Sequence, residues 1–194
     1  LAAERVLMVS LGKRAEYSTK ALRTALLAVG KWFAGAKAEK ASVPAESFVS
    51  PEVSLQTVVQ SATQFFAEQT YRYVAPRAKK EDIKGVGRVE FLLSDKHDKD
   101  ALLGLRQGDA LAQGVALARD LGNMAGNQCT PTHLAEVAVA MGKRHDFKVE
   151  VFDTAGIAKL GMGAFLSVTR GSAEPARFIV MQYKGTKGKQ APVV

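Results

Sequence analysis

Short apolar runs alternate with longer stretches of helical periodicity along this chain, and that alternation limits its fold more than any other feature. Residues 5–11 form a brief apolar run closed by Gly12 and read as a buried strand. After a Ser18 cap, Leu22, Ala25, Leu26, Val29 and Trp32 or Phe33 recur near 3.6 residues and mark one helix face. Residues 41–48 are weakly strand-like, and Pro44 confines them to an edge or a bulge. Ser50-Pro51 has the form of a helix start, with Leu55, Val58, Val59, Ala62, Phe65, Phe66, Gln69 and Tyr73 following on one face. A basic connection at 77–87 leads to a strand at 88–93. A helix from Asp98 or Lys99 carries Leu102, Leu105, Leu111, Val115, Ala118 and Leu121, and Gly104, Gly108 and Gly114 lower its local propensity and leave room for an interruption. Thr130-Pro131 starts the next helix, with Leu134, Val137, Ala138 and Met141 inward. A strand at 148–152, a short helix at 154–160 broken by Gly161 and Gly163, a strand at 177–183 and a turn at 184–190 complete the pattern. Strands alternating with helices predict an α/β fold with mostly parallel pairing.

A length of 194 residues, 47% of them hydrophobic, allows one or two domains with real cores. The boundary is expected within 98–127, where a long helix gives way to a Gly/Asn loop. No apolar run approaches the roughly 18–20 residues of a membrane span, and the N-terminus lacks a secretory signal pattern. A single cysteine, Cys129, excludes an internal disulfide and fits a reducing compartment. The run at 5–11 and the strand-like Ala191-Pro192-Val193-Val194 make both ends read as cuts through structure. The net charge of +8 is compatible with nucleic-acid binding but contains no block of five like charges, so a solvated basic surface is the better reading.

Chemical motifs fail one by one. Gly12-Lys13-Arg14, Gly30-Lys31-Trp32 and Gly188-Lys189-Gln190 each lack the hydroxyl that a phosphate loop places on magnesium. Gly161-Met162-Gly163 has Leu166 where a dinucleotide fingerprint needs its third glycine. His97, His133 and His145 are scattered, and only His133 with Glu136 stand one helical turn apart, a spacing better read as a surface contact. Cys129 precedes the expected first helical turn and reads as a small residue in a tight loop rather than a nucleophile. Arg72, Arg77, Lys79, Lys80, Lys84 and Arg88 lie near Tyr71 and Tyr73, but Glu81 and Asp82 among them favour a solvated loop over a nucleic-acid track. No catalytic, cofactor-binding or metal-ligating residue is therefore expected in this chain.

One ladder of words remains. It reads Asp120-Leu121-Gly122-Asn123, Asn127-Gln128-Cys129-Thr130-Pro131, Lys159-Leu160-Gly161-Met162-Gly163, Gly171-Ser172-Ala173-Glu174-Pro175 and Ile179-Val180-Met181-Gln182-Tyr183. In this order and spacing it resembles the leucyl aminopeptidase family of two-metal exopeptidases. The match is specific over 116–183 and holds only in layout over 1–97. The loop Met124-Ala125-Gly126-Asn127 departs from the two prolines usual there.

The resemblance implies two α/β domains joined by a long helix. Residues 1–97 would be a macro-domain-like N-terminal domain incomplete at its start, 98–123 the linker helix, and 124–194 the beginning of the catalytic domain. It further implies a parent with two divalent ions (zinc, manganese or magnesium) held by carboxylates and a lysine, which activate a water against peptide substrates. The family's metal-binding words, Gly-Lys-Gly and Asp-Ser-Gly-Gly, have no counterpart before Val194. The chain alone is thus expected to bind no metal and to be inactive, with the missing catalytic half as its partner. A cytoplasmic homo-hexameric parent is implied as well, with DNA binding as an accessory alternative.

Overall fold

In the computed structural model, which describes residues 3–36, 38–74, 85–95, 98–186, 188 and 191, Ser18 opens the first helix as the sequence predicts. Its side chain accepts a hydrogen bond from the Ala21 N–H, and α1 runs over Thr19–Gly35. The apolar stripe of α1 buries Leu22, Ala25, Leu26, Val29 and Phe33. Phe33, not Trp32, is the inward aromatic: its ring lies 4.9 Å from that of Phe66, while Trp32 is 40% exposed. Phe66 belongs to α2 (Leu55–Thr70), which buries Val58, Val59, Ala62 and Phe65 as well. Parallel strands need a crossover; α2 lies in the one between β1 (Lys40–Pro44) and β2 (Arg88–Leu92), which pair from Lys40↔Arg88 to Pro44↔Leu92. Val43, Val89 and Phe91 of this pair pack onto the α1–α2 core. Burying a Leu or Phe contributes about 1.5–3 kcal/mol and a helix cap about 1 kcal/mol, so this shared apolar core outweighs the local signals that begin each element.

The third helix has the expected extent but buries a different face. α3 (Lys99–Asn123) is one continuous helix, and Asp98 Oδ1 caps it by accepting from the Ala101 N–H at 2.9 Å. Its buried positions are Ala101, Gly104, Gly108 and Ala112, one narrow stripe of small residues laid along α2. A Cβ on Gly104 would stand 2.5 Å from the Gln56 carbonyl oxygen, and one on Gly108 would stand 2.5 Å from that of Gln60. The two backbones thus approach within a distance that only glycine permits. Leu102, Leu105 and Leu111, expected to form the inner face, are instead 41%, 42% and 43% exposed. The glycines that lower helix propensity do not interrupt the helix, because they are where it docks.

These elements form the first of two compact units, Leu1–Asn123; the second is Met124–Val194. In the second unit, Thr130 caps α4 (Pro131–His145) by accepting from the His133 N–H at 3.2 Å. Asp146, in the left-handed region at φ 53°, ends it. β3 (Lys148–Phe152) and β4 (Phe178–Gln182) pair antiparallel, with Val151 opposite Ile179. Alternate side chains point to opposite faces. Val149 therefore meets α4, where a Cβ on Gly142 would stand 2.5 Å from its Cγ2. Phe152 and Phe178 lie on the other face, with ring centres 5.9 Å apart. There α5 (Thr154–Lys159) buries Ile157, and Phe165 of α6 (Gly163–Thr169) meets Phe178 edge-on at 5.7 Å.

Several expectations need correction. Residues 5–11 are in neither sheet; Val6, Leu7 and Met8 are 63%, 40% and 90% exposed, and a groove of about 750 Å³ separates the segment from α1. An apolar run becomes a strand only with a ladder partner, and the first unit's described sheet consists of β1 and β2 alone. Ser50-Pro51 does not begin α2. Ser50 and Val53 exchange backbone hydrogen bonds at 3.1 Å in a turn that drops Val53 into the core, and Ser54 caps the helix instead. Among the described residues pairing is not mostly parallel: one two-stranded sheet is parallel and the other antiparallel. On α4 the buried positions are Ala135, Ala138 and Gly142, while Leu134 is 38% exposed. α6 was not expected, since Gly163 read as a breaker; Gly161, at φ 74°, makes the break and Gly163 starts the next helix.

The glycines of α3 give a test whose sign depends on packing. Gly104→Ala or Gly108→Ala gains about 1 kcal/mol of helix propensity but drives a methyl into rigid backbone, an overpacking cost of about 1–3 kcal/mol. Both should destabilise in denaturant unfolding. Gly114→Ala, with nothing within 4 Å of its added Cβ, should stabilise by up to about 1 kcal/mol. Stabilisation by Gly104→Ala and Gly108→Ala as well as by Gly114→Ala would refute the close contact.

Candidate functional site

The first word of the ladder comes together with a residue that sequence reasoning left aside. Tyr71 follows the last turn of α2, and Asp120 and Asn123 end α3. The Tyr71 hydroxyl donates to Asp120 Oδ1 at 2.6 Å and accepts from Asn123 Nδ2 at 3.4 Å. The guanidinium of Arg119 lies 4.9 Å above the Tyr71 ring, and its Nη1 donates to the Glu68 carbonyl at 2.9 Å. That carbonyl is one of those a helix C-terminus leaves without an intrahelical partner. Burial pushes the Tyr71 phenol above its ordinary pKa, and its bond to Asp120 adds to the shift. A shallow cleft of about 250 Å³ runs between the helices beside the cluster.

The remaining words build turns and caps. The Ala125 carbonyl accepts from the N–H groups of Gln128 and Cys129 at 2.8 and 2.9 Å, closing the loop before Thr130 caps α4. Cys129 is half-buried in that loop, one residue before the cap. Ser172 Oγ accepts from the Glu174 N–H at 3.1 Å, and Ile179 to Gln182 lie within β4.

His133 and Glu136 share α4, and His145 stands in its last turn; His97 lies outside the described residues. Among the described residues no group of three or more His, Cys, Asp or Glu side chains could hold a metal ion. The donors present among the described residues do not fit the two-ion centre that the family resemblance implies. Of the basic segment, Arg77, Lys79, Lys80 and Lys84 also lie outside the described residues. Arg72 Nη1 donates to the carbonyls of Gln69 and Tyr71, and Arg88 pairs with Glu90, which also takes Lys40. No helix of the described residues is long and apolar enough to cross a membrane.

This architecture is shared with solved structures. The bottromycin maturation enzyme BotP in complex with Mn superposes with a TM-score of 0.73 at 22% identity, over 91% of this chain and 36% of that one. A second BotP structure gives a TM-score of 0.74 with the same coverage. The likeness defines the class of fold, and sequence comparison defines the family. Residues 1–80 match the N-terminal domain of the cytosol aminopeptidase family and residues 116–194 match its catalytic domain. The chain belongs to the cytosol aminopeptidase family. Across its whole length it is 47% identical to a probable cytosol aminopeptidase of Azoarcus sp. (strain BH72) and 46% identical to one of Aromatoleum aromaticum. It spans 39% of the length of each of these curated relatives.

The Tyr71 cluster sets an alkaline dependence. A phenol whose pKa is raised by folding keeps its proton longer in the native state, so its contribution is complete below about pH 10 and is lost as pH rises through the folded value. Tyr17, whose hydroxyl donates to the Phe48 carbonyl at 2.6 Å, is raised by burial and acts in the same direction. Unfolding free energy should fall above pH 10, and Tyr71→Phe should make that fall shallower. An equally steep fall in the variant would contradict the assignment to Tyr71.

Proposed function

We propose that this chain is part of a metal-dependent aminopeptidase that removes N-terminal amino acids from peptides. The two divalent ions (manganese, zinc or magnesium) and the water they activate would be held by a part of the protein that these residues do not include. In this reading residues 1–97 act as the N-terminal domain, 98–123 as the connecting helix and 124–194 as the opening of the catalytic domain, within a cytoplasmic homo-hexamer. The observation that carries the reading is whole-chain identity of 47% to a probable cytosol aminopeptidase of which the chain spans 39%. The manganese in the BotP complex is consistent with a divalent metal in the parent.

An assembly role for these 194 residues is the second reading. Leu102, Leu103, Leu105 and Leu111 are each more than 40% exposed along α3, and Val168 is 85% exposed on α6. Large apolar side chains exposed in this way suit a partner surface more than they suit water.

The chain is expected to be inactive alone. With leucine p-nitroanilide and added manganese or zinc it should give no turnover, whereas a polypeptide extended to the full length of the relatives should hydrolyse the substrate. Turnover by the 194 residues that survives rigorous removal of contaminating peptidases would overturn the division of labour. Failure of the metal-loaded extended protein would overturn the aminopeptidase reading itself.

A further inference from the structure

The two family matches stop and start apart, at residue 80 and at residue 116. The fold nevertheless puts residues from both matched regions side by side inside one compact unit, Leu1–Asn123. Tyr71 belongs to the region matched by the N-terminal domain; Arg119, Asp120 and Asn123 belong to the region matched by the catalytic domain. Their contacts span 49 to 52 residues of sequence, from Tyr71 to Asp120 and Asn123 and from Glu68 to Arg119. We propose that Tyr71 is a positioning residue that latches the start of the catalytic region to the N-terminal region by holding the last turn of α3.

Three features make this a latch rather than a chance surface contact. The phenol uses both its donor and its acceptor, one on each of two α3 side chains three residues apart, so the last turn is held at two points. Asp120 accepts as a carboxylate, and charge-assisted bonds of this kind are about twice as strong as neutral ones. Arg119 covers the phenol face while its guanidinium caps the end of α2. Helix ends otherwise fray, because their last carbonyls lack partners. The small-residue contact at Gly104 and Gly108 fixes the opposite half of α3. Without the latch, the last turn of α3 would keep the Arg119 bond to the Glu68 carbonyl but lose both bonds to the phenol, just before residue 124.

The test is amide hydrogen exchange of the full 194-residue chain, read at Arg119–Asn123, in four variants. Tyr71→Phe and Asp120→Ala should each lower protection there about tenfold while leaving α1 and α2 unchanged. The double variant should lose no more than Tyr71→Phe alone, because that change already removes the bond to Asp120 together with the one from Asn123. Asp120→Asn keeps an acceptor oxygen for the phenol and should retain part of the protection, less than the unaltered chain and more than Asp120→Ala, since the neutral bond is weaker. That rescue separates a specific bond from general loss of packing. Additive losses in the double variant, unchanged protection in Tyr71→Phe, or equal losses in Asp120→Ala and Asp120→Asn would each overturn the proposal.

Discussion

The contact between α2 and α3 at Gly104 and Gly108 decides much of the first unit. With no side chains on that line, the helices approach until backbone meets backbone, 2.5 Å from where a Cβ would sit. The contact sets the rest of α3. Its stripe of Ala101, Gly104, Gly108 and Ala112 is consumed by α2, so its leucines turn outward. The same closeness brings the far ends of the two helices within reach of Tyr71, Arg119, Asp120 and Asn123. Bulkier residues at 104 and 108 would spread the helices, and a hydrogen bond of 2.6 Å between their ends tolerates little spreading.

The second unit follows a different logic. A two-stranded sheet is marginal in water and needs helices against it. Here α4 takes one face through Val149 and Gly142, while the aromatic group of Phe152, Phe165 and Phe178 fills the other. The family words at 120–183 mostly serve this framework, as caps, loop closures and a strand.

Much of this was legible in advance because it is local. Ser18, Asp98 and Thr130 cap their helices, and the periodicity of Leu22 to Phe33 and of Val58 to Phe66 maps onto buried faces. What was missed depends on partners. Hydrophobic spacing on α3 pointed to Leu102, Leu105 and Leu111, yet the interface selects for the absence of a side chain, which periodicity scores as weakness. The run at 5–11 has strand composition without a ladder partner among the described residues. Ser50-Pro51 has the local form of a helix start, yet Val53 is drawn into the core and the helix begins after it, capped by Ser54. Tyr71 could not be paired with Asp120 from sequence, because nothing local links positions 49 residues apart.

If the small-residue seam is the organising contact, α3 must unfold with α1 and α2, not with the residues that follow it. Native-state hydrogen exchange across a denaturant series measures this directly. Amides of Ala101–Ala112 should share one opening free energy and one denaturant slope with Leu22–Phe33 and Val58–Phe66, distinct from those of 131–182. If the α3 amides instead opened together with 131–182, or at lower free energy than α1 and α2, the seam would not hold the first unit together.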